Sequence, residues 1–559
     1  MTKSRILIVG LFIFVLAWVN ANHYGPWVNF HSEALASIAL SLLFVSQLVA
    51  NKKISVPHIS GWILFTGFVP WLQYVSSITQ FVGDAFVGCF FLTGFLIAVV
   101  VGYAVAGKPS DAAPRWLGLA HALWIAAVLS AAVGLAQWFN LADGMGIYAM
   151  QTTLGARASG NLGQPNQLAT LLLMGMASLI YVFEQDGIGK IGLAISVAFM
   201  TAVLVLTQSR AGMVSVLVIA GFLLLKQRSC AWRLPKQAVF GWVGCFALGT
   251  LGLPSVSEWF LMSDSRSLTS TGSISERWLI WKQVVYAISQ EPWLGYGWNQ
   301  TSAANAVGGL AFPGATIYTN AHNIVLDLMV WCGIPLGLLL TGVIAYWTIS
   351  RMRAVQQPSA VLAMAALLPI LLHSLLEFPF AYAYFLISAG LFVGIVEAAH
   401  MPAKTVAVRV RWLWMVLYVW AGVGGYMAYE YFQIEEDFRI VRFESLRVGA
   451  TPTSYEVPHV WMLSHMAAML KAARQVPKPD MSQADLEHLR LVSDRFPYGA
   501  IRFKYAQALG LNHDPEGAGK QMRIIRSMYG DFFYQACKEE LSRLTAGKYP
   551  QLAAVNMTD

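Results

Sequence analysis

Apolar runs of roughly 15 to 25 residues recur from Ile6 to Tyr429, and no other feature of this chain constrains its fold as strongly. A helix of that length covers a ~30 Å hydrocarbon core once its interfacial flanks are added. The pattern predicts about thirteen crossings: Ile6–Val19, Leu35–Ala50, Trp62–Ile78, Ala85–Ala106, Leu117–Phe139, Gln167–Phe183, Ile191–Leu206, Ala211–Leu225, Ala238–Leu253, Ile324–Ile349, Ala360–Leu376, Ala381–Ala398 and Trp412–Tyr429. Composition agrees, because only 12% of the 559 residues are charged and 57% are hydrophobic, where a soluble domain carries about twice that charge. Ile6–Val19 has no small-residue cleavage site and precedes further runs, so it is expected as a retained helix. The fold class expected is an all-α polytopic membrane protein.

The net charge of +8 is informative through its placement. Lys3 and Arg5, Lys52 and Lys53, Lys108 and Arg115, Lys190, the group Lys226 to Lys236, Arg351 and Arg353, and Lys404 to Arg411 fall in every second connection. By the positive-inside rule those connections are cytoplasmic, so the basic residues report membrane topology rather than a nucleic-acid partner. Asn20–Glu33 and Thr79–Asp84, on the opposite side, contain no Lys or Arg. Thirteen crossings from a cytoplasmic N-terminus leave the C-terminal segment outside. The five cysteines form neither a disulfide framework nor a CxxC metal site.

Two domains are expected: a transmembrane domain over residues 1–429, with a large external loop at about 254–323, and a helical external domain over 430–559. In the loop, DSRSLTSTGSIS (Asp264–Ser275) reads as irregular chain. Ser275 is the expected cap of a membrane-surface helix whose apolar face is Trp278, Trp281, Val285 and Ile288. In the tail, SQADLEHLRLVSDRF, IRFKYAQALGL and AGKQMRIIRSMYG read as successive amphipathic helices, like tetratricopeptide units but without a clear repeated consensus.

Conspicuous polar residues gather on the external side. Arg157 lies in the connection 140–166, Arg210 in TQSRAG, Arg277 on the surface helix, and His322 where TNAHN opens a crossing helix. His373 and Glu377, four residues apart in LLHSLLEFPF, are expected on one helix face. Arginines on the side where positive charge is disfavoured point to a multiply charged anion such as phosphate or pyrophosphate, which planar guanidinium groups grip with paired hydrogen bonds. HExxH, Cys/His clusters and Asp-rich metal motifs are missing from this face, so neither metal nor other cofactor is expected. Asn161, Gln164, Asn166 and Gln167 crowd the mouth of the sixth run around Pro165, and amides suit sugar hydroxyls or backbone orientation.

The stretches GNLGQPNQLATLL, TQSRAGM, ERWLIWKQ, AHNIVLDLMVWCGIPLG and HSLLEFPFAYAYF, with the helical tail, resemble the O-antigen ligase and Wzy-type polymerase superfamily. GQPNQ together with HSLLEFP resembles its PglL-type protein O-oligosaccharyltransferases more narrowly. The resemblance implies a GT-C type fold and transfer of a preassembled oligosaccharide from undecaprenyl pyrophosphate to a hydroxyl of a pilin-type acceptor protein on the periplasmic side, without an obligatory metal. It implies that Arg210 and Arg277, with Arg157 as a third match, hold the pyrophosphate, and that His322 is the essential histidine. Asn323 stands nearest in sequence to orient His322, and Tyr382 and Tyr384 join Glu377 on the acceptor side.

Two rivals share this composition. Ligation of O-antigen to a lipid A-core sugar is disfavoured by the tail and the GQPNQ run. A transporter of lipid-linked sugars would carry its ionisable residues near the mid-membrane, whereas these lie at the outer boundary.

Overall fold

The computed structural model describes residues 3–107, 116–153, 155–230, 232–260, 272–400, 404–452 and 454–556. Lys108, Arg115 and most of the DSRSLTSTGSIS stretch lie outside the described residues. Each of the apolar runs is carried by a helix. Among the described residues, six helices are long and apolar enough to cross a membrane: Phe30–Leu48, Val82–Ala106, Leu117–Trp138, Pro165–Glu184, Lys236–Trp259 and Ile324–Ala354. Lys190–Leu206, Pro358–Ser374 and Ala383–Ala398 are shorter apolar helices. The chain is therefore a helical, multi-pass membrane protein. Among the described residues an antiparallel two-stranded ribbon accompanies the helices, Lys53–Pro57 with Thr405–Arg409, in which Lys53 lies opposite Arg409.

The chain divides into two compact units. The first comprises Met1–Gly67, Phe90–Thr269 and Ala345–Gly425. Its centre is the Pro165–Glu184 helix, apolar on all sides and buried almost throughout, as a helix enclosed by other helices must be. Leu117–Trp138, Lys190–Leu206 and Pro358–Ser374 pack around it. Ala383–Ala398 lies against the Val82–Ala106 helix through Gly390 and Gly394, and a Cβ at Gly394 would fall 2.1 Å from the Val99 carbonyl oxygen. Small residues four apart permit that approach, which dispersion then rewards in a lipid surround.

The second unit comprises Phe68–Cys89, Ser270–Ile344 and Tyr426–Asp559. The surface helix spans Gly272–Gln290, so Ser275 stands in its first turn rather than at its cap. Its buried stripe is Ile280, Val284, Ala287 and Ile288, with Trp278 and Val285 left exposed. Of the expected face, Ile288 is packed within the unit and the half-buried Trp281 is tied to it through its indole, whereas Trp278 and Val285 belong to the opposite side, the one available to lipid. The AHNIVLDLMVWCGIPLG block is not one straight helix: Gly333 takes φ 75°, ψ 170°, two residues before Pro335. Pro335 has no N–H for the Trp331 carbonyl, which accepts the Gln73 side-chain amide at 2.6 Å, and the Val330 carbonyl, losing the Ile334 N–H, accepts from Tyr296 N–H at 2.7 Å. The Ile334 N–H donates to the Pro292 carbonyl, also at 2.7 Å. A Cβ at Gly333 would meet the Trp293 carbonyl at 2.2 Å, so this junction requires glycine twice over. The tail forms the predicted helices at Gln483–Arg495, Gly499–Leu511 and Pro515–Gly547, with Ser482 and Asp514 as their side-chain caps at the first and third.

Candidate active site

His322 occupies φ +53°, a left-handed conformation rare for any residue but glycine and common at strained functional positions. Asp327, wholly buried, holds it there: its Oδ1 accepts the Ala321 N–H at 2.8 Å and the Thr301 hydroxyl at 2.9 Å. The Thr301 oxygen in turn accepts the Trp331 indole at 2.8 Å, and the Trp281 indole donates to the Ala321 carbonyl at 3.0 Å. Both backbone polar groups of Ala321, the residue before His322, are thereby pinned, and the imidazole, half-buried, is near enough to Asp327 to feel its charge. Asn323 Oδ1 accepts the N–H groups of Val325 and Leu326 and starts the helix at Ile324. Asp327 Oδ2 and Asn320 Nδ2 are buried and have no hydrogen-bond partner among the described residues. Burial raises the Tyr318 hydroxyl above its ordinary value, with Asp327 adding to the rise, so it stays protonated. Arg277 is half-buried on the Gly272–Gln290 helix of the same unit.

The other predicted residues belong to the first unit. Asn166 donates from Nδ2 to Glu377 Oε1 at 3.1 Å and accepts the Ser209 hydroxyl on Oδ1 at 2.7 Å. Ser209 also caps the Arg210–Lys226 helix through the Gly212 N–H, which puts the half-buried Arg210 at that helix's first position. A cation there opposes the helix dipole, an arrangement that an anion between them would relieve. His373 and Glu377 do not share a helix face as expected, because Pro358–Ser374 ends before Glu377. One bond of helical spacing, Glu377 N–H to the His373 carbonyl at 2.8 Å, continues past the end. The pair still meets a matching pair: Glu377 bonds Asn166, and His373 Nδ1 lies 2.9 Å from the Thr170 hydroxyl, four residues on along the central helix. The Thr170 hydroxyl is directed to the Asn166 carbonyl, so Nδ1 carries the proton in this bond.

The four amides at the mouth have separate tasks. Asn161 braces backbone, donating to the Val19 and Tyr148 carbonyls and accepting the Met150 N–H. Gln164 and Gln167 bond each other at 3.0 Å, and Gln167 accepts the Tyr384 hydroxyl at 3.1 Å. Tyr382 stacks on Tyr384 with ring centroids 5.6 Å apart. Arg157 lines a wide cavity of about 660 Å³ with Gln151, Thr152, Thr153, Ser159 and Gln208. Among the described residues, no three His, Cys, Asp or Glu side chains converge as a metal site would require.

Two residues were missed by reading the sequence. Asp327 carries a recognisable signal, a lone acid inside an apolar run, which is costly in a membrane unless it serves a purpose. Gln137, which accepts the Ser159 and Gly160 N–H groups and donates to the Met150 and Gly160 carbonyls, carries none.

Comparison with known proteins assigns these regions to three family models. Residues 158–183 match a model described as protein glycosylation ligase, 195–341 one described as O-antigen ligase, and 361–542 the C-terminal part of a virulence factor membrane-bound polymerase. The first holds Asn161, Gln164 and Asn166; the second Arg210, Arg277, His322 and Asp327; the third Glu377 and both tyrosines. The chain is 28% identical over 549 residues to a general O-oligosaccharyltransferase of Acinetobacter baylyi, covering 94% of this chain and 93% of that protein. It is 26% identical over 402 residues to a ComP-specific O-oligosaccharyltransferase of the same organism, covering 71% and 72%. With three family models along its length and similarity to an oligosaccharyltransferase from end to end, the chain belongs to the PglL-type O-oligosaccharyltransferases of the O-antigen ligase family, and is a glycosyltransferase.

Proposed function

We propose that this glycosyltransferase moves a preassembled oligosaccharide in one piece from undecaprenyl pyrophosphate to Ser or Thr hydroxyls of pilin-type or other periplasmic proteins, by a metal-independent inverting displacement. The observation that carries the proposal is the strained His322, fixed by Asp327 within the segment that matches the O-antigen ligase model. The neutral imidazole of His322 can accept the proton of the attacking hydroxyl. The hydroxyl oxygen forms the new bond at the anomeric carbon from the face opposite the leaving group. The bond from that carbon to the pyrophosphate oxygen breaks, its electron pair staying on undecaprenyl pyrophosphate. Arg210 and Arg277, aided by Arg157, hold that pyrophosphate and offset its growing charge. Asn166, Gln164, Glu377, Tyr382 and Tyr384 serve the acceptor side. The GT-C type arrangement of about thirteen crossings, with these residues and the 430–559 domain facing the periplasm of the inner membrane, completes the reading.

The test is transfer by purified protein in detergent containing EDTA, from undecaprenyl-pyrophosphate oligosaccharide to a pilin-like acceptor. Wild type is expected to transfer, and His322→Ala to lose on the order of 10³-fold in kcat/KM while keeping its fold. Full activity in that variant removes His322 from the chemistry.

A further inference from the structure

The two strands of the ribbon, Lys53–Pro57 and Thr405–Arg409, both belong to the first unit and pair with Lys53 opposite Arg409 and Ile54 opposite Val408. The Val410 N–H donates to the Lys52 carbonyl at 3.2 Å, and the His58 N–H to the Lys404 carbonyl at 3.1 Å. These bonds fix which alternate pairs of the antiparallel ladder are hydrogen-bonded. Lys53 with Arg409 falls on the other kind, whose Cα atoms stand only about 4.5 Å apart and whose side chains are the closer. Like charges directly opposite one another destabilise a ribbon.

The chain itself does not relieve this repulsion. Alternation along the strands turns Ile54 and Val408 onto the core of the unit, where Ile54 is 4% exposed, and turns Lys53 and Arg409 outward. Lys52, Lys404 and Arg411, all exposed, flank the pair. Residues 34–83 and 398–429 contain no Asp or Glu, and Glu397, the last acid before the second stretch, is held by Arg351 at 2.6 Å. Among the described residues none of the five cations is paired with a carboxylate. The positive-inside rule asks for cations in such a connection, but not for two of them face to face on a ribbon.

Both strands lead at once into helices with aromatic and apolar side chains on the outside. Trp62 and Phe65 on Ile59–Val75, and Trp412 and Met415 on Val410–Leu446, are each more than 40% exposed. The Arg411 guanidinium lies over the Trp412 ring, 4.9 Å from its centroid. Tryptophan in the first turn of an apolar helix face marks the headgroup level of a bilayer, so these cations stand beside lipid.

We propose that the ribbon is a binding site for the headgroup of an anionic phospholipid. Arg409 grips the phosphate through paired hydrogen bonds and Lys53 neutralises it from the opposite strand. Lys52, Lys404 and Arg411 add to the attraction, and the acyl chains lie along the outer faces of the two helices. By the orientation proposed above the lipid belongs to the cytoplasmic leaflet, so it is not the glycan donor.

The test measures lipid retention by native mass spectrometry, and the unfolding temperature of the full chain in detergent, with phosphatidylglycerol, phosphatidylcholine or inorganic phosphate added at equal concentration. Neither readout depends on orientation or on transfer activity. Wild type is expected to retain phosphatidylglycerol and to unfold at a higher temperature with it, and to show neither effect with phosphatidylcholine or inorganic phosphate. Lys53→Gln/Arg409→Gln is expected to weaken retention on the order of tenfold or more. Lys53→Glu sets a carboxylate opposite Arg409; it is expected to unfold at a higher temperature than wild type without lipid, and to lose the rise that phosphatidylglycerol gives. Equal retention of phosphatidylglycerol by wild type and the double variant, or equal effects of phosphatidylcholine, overturn the site. An equal rise with inorganic phosphate overturns the lipid as its ligand, and a Lys53→Glu protein less stable than wild type without lipid overturns the repulsion from which the site is argued. Where the double variant yields no folded protein, Lys53→Gln alone takes its place, with an expected loss of about fivefold and the same overturning results.

Discussion

Around the central Pro165–Glu184 helix, in the first unit, the polar groups that hold loops in place are mostly neutral amides. Gln137 satisfies four partners on the 150–160 stretch, Asn161 three, and Asn166 joins Ser209 to Glu377. In the unit that contains residues 426–559 the same work falls to charged groups. Asp84 takes the Arg495 guanidinium at 2.8 to 3.1 Å and the Gln300 amide; Asp437 takes Arg474 through two bonds; Glu430 receives the N–H groups of Trp461 and Leu463. The difference follows from surroundings. An amide both donates and accepts, so it closes a network with no ion to desolvate, whereas an ion pair is tolerable only where water or a full set of donors offsets desolvation. Two carboxylates of the first unit are held by donors of this kind, Glu377 by the Asn166 amide and Glu397 by both Arg351 and the Trp347 indole at 2.6 Å.

Breaking an ion pair should therefore cost more than breaking an amide network. Asp84→Ala leaves Arg495 buried without its carboxylate and is expected to destabilise the protein by ~3–5 kcal/mol, read as a lowered unfolding temperature in detergent and faster amide exchange across 464–511. An unchanged unfolding temperature would remove the pair from any structural role.

Acidification attacks the same region. His465 is buried, stacks on Phe496 and faces Asp84 and Arg495; burial chiefly pulls its pKa down to about 4, with Arg495 also lowering and Asp84 raising it. A base with a depressed folded-state pKa is neutral in the fold and charged in the unfolded chain between the two pKa values. Its contribution is complete above about pH 6.5 and is lost as pH falls towards 4, a loss of about 3 kcal/mol. Stability curves between pH 7 and 4 measure it, and His465→Gln should flatten that part of the curve.

Next in size is the acid under His322. Asp327→Ala frees the Ala321 N–H and is expected to cost on the order of 100-fold in kcat/KM, through misplacement of the imidazole. Asp327→Asn, which keeps the accepting oxygen, should lose under about tenfold. Equal losses in both would mean that the charge, not the held geometry, matters.

The smallest effect is expected where the network is neutral. Gln137→Leu leaves the Ser159 and Gly160 N–H groups unpaired, for a loss of ~1–3 kcal/mol in thermal unfolding. A loss as large as that of Asp84→Ala would erase the contrast between the units.

Much of this molecule is legible residue by residue. Every apolar run from Ile6 to Tyr429 lies on a helix, since apolar length and helical propensity are local properties. The tail helices start where Ser482 and Asp514 announce them. Misreadings came where a distant element intervened. CGIPLG looks like the interior of one helix until the 292–296 turn takes the bonds that Gly333 and Pro335 release.

From the sequence alone came the membrane-helix architecture, the segments carrying His322, Arg210, Arg277 and the GQPNQ and HSLLEFP motifs, and through them the family. Which carboxylate serves which backbone group was left to tertiary structure. Asp327 under Ala321, Glu377 on Asn166 and Asp84 on Arg495 are bonds across 6 to 411 residues of chain, two of them to an element remote in sequence. Periodicity reports only what a residue's near neighbours need, whereas a buried charge is placed by whichever unsatisfied donor the folded chain brings to it.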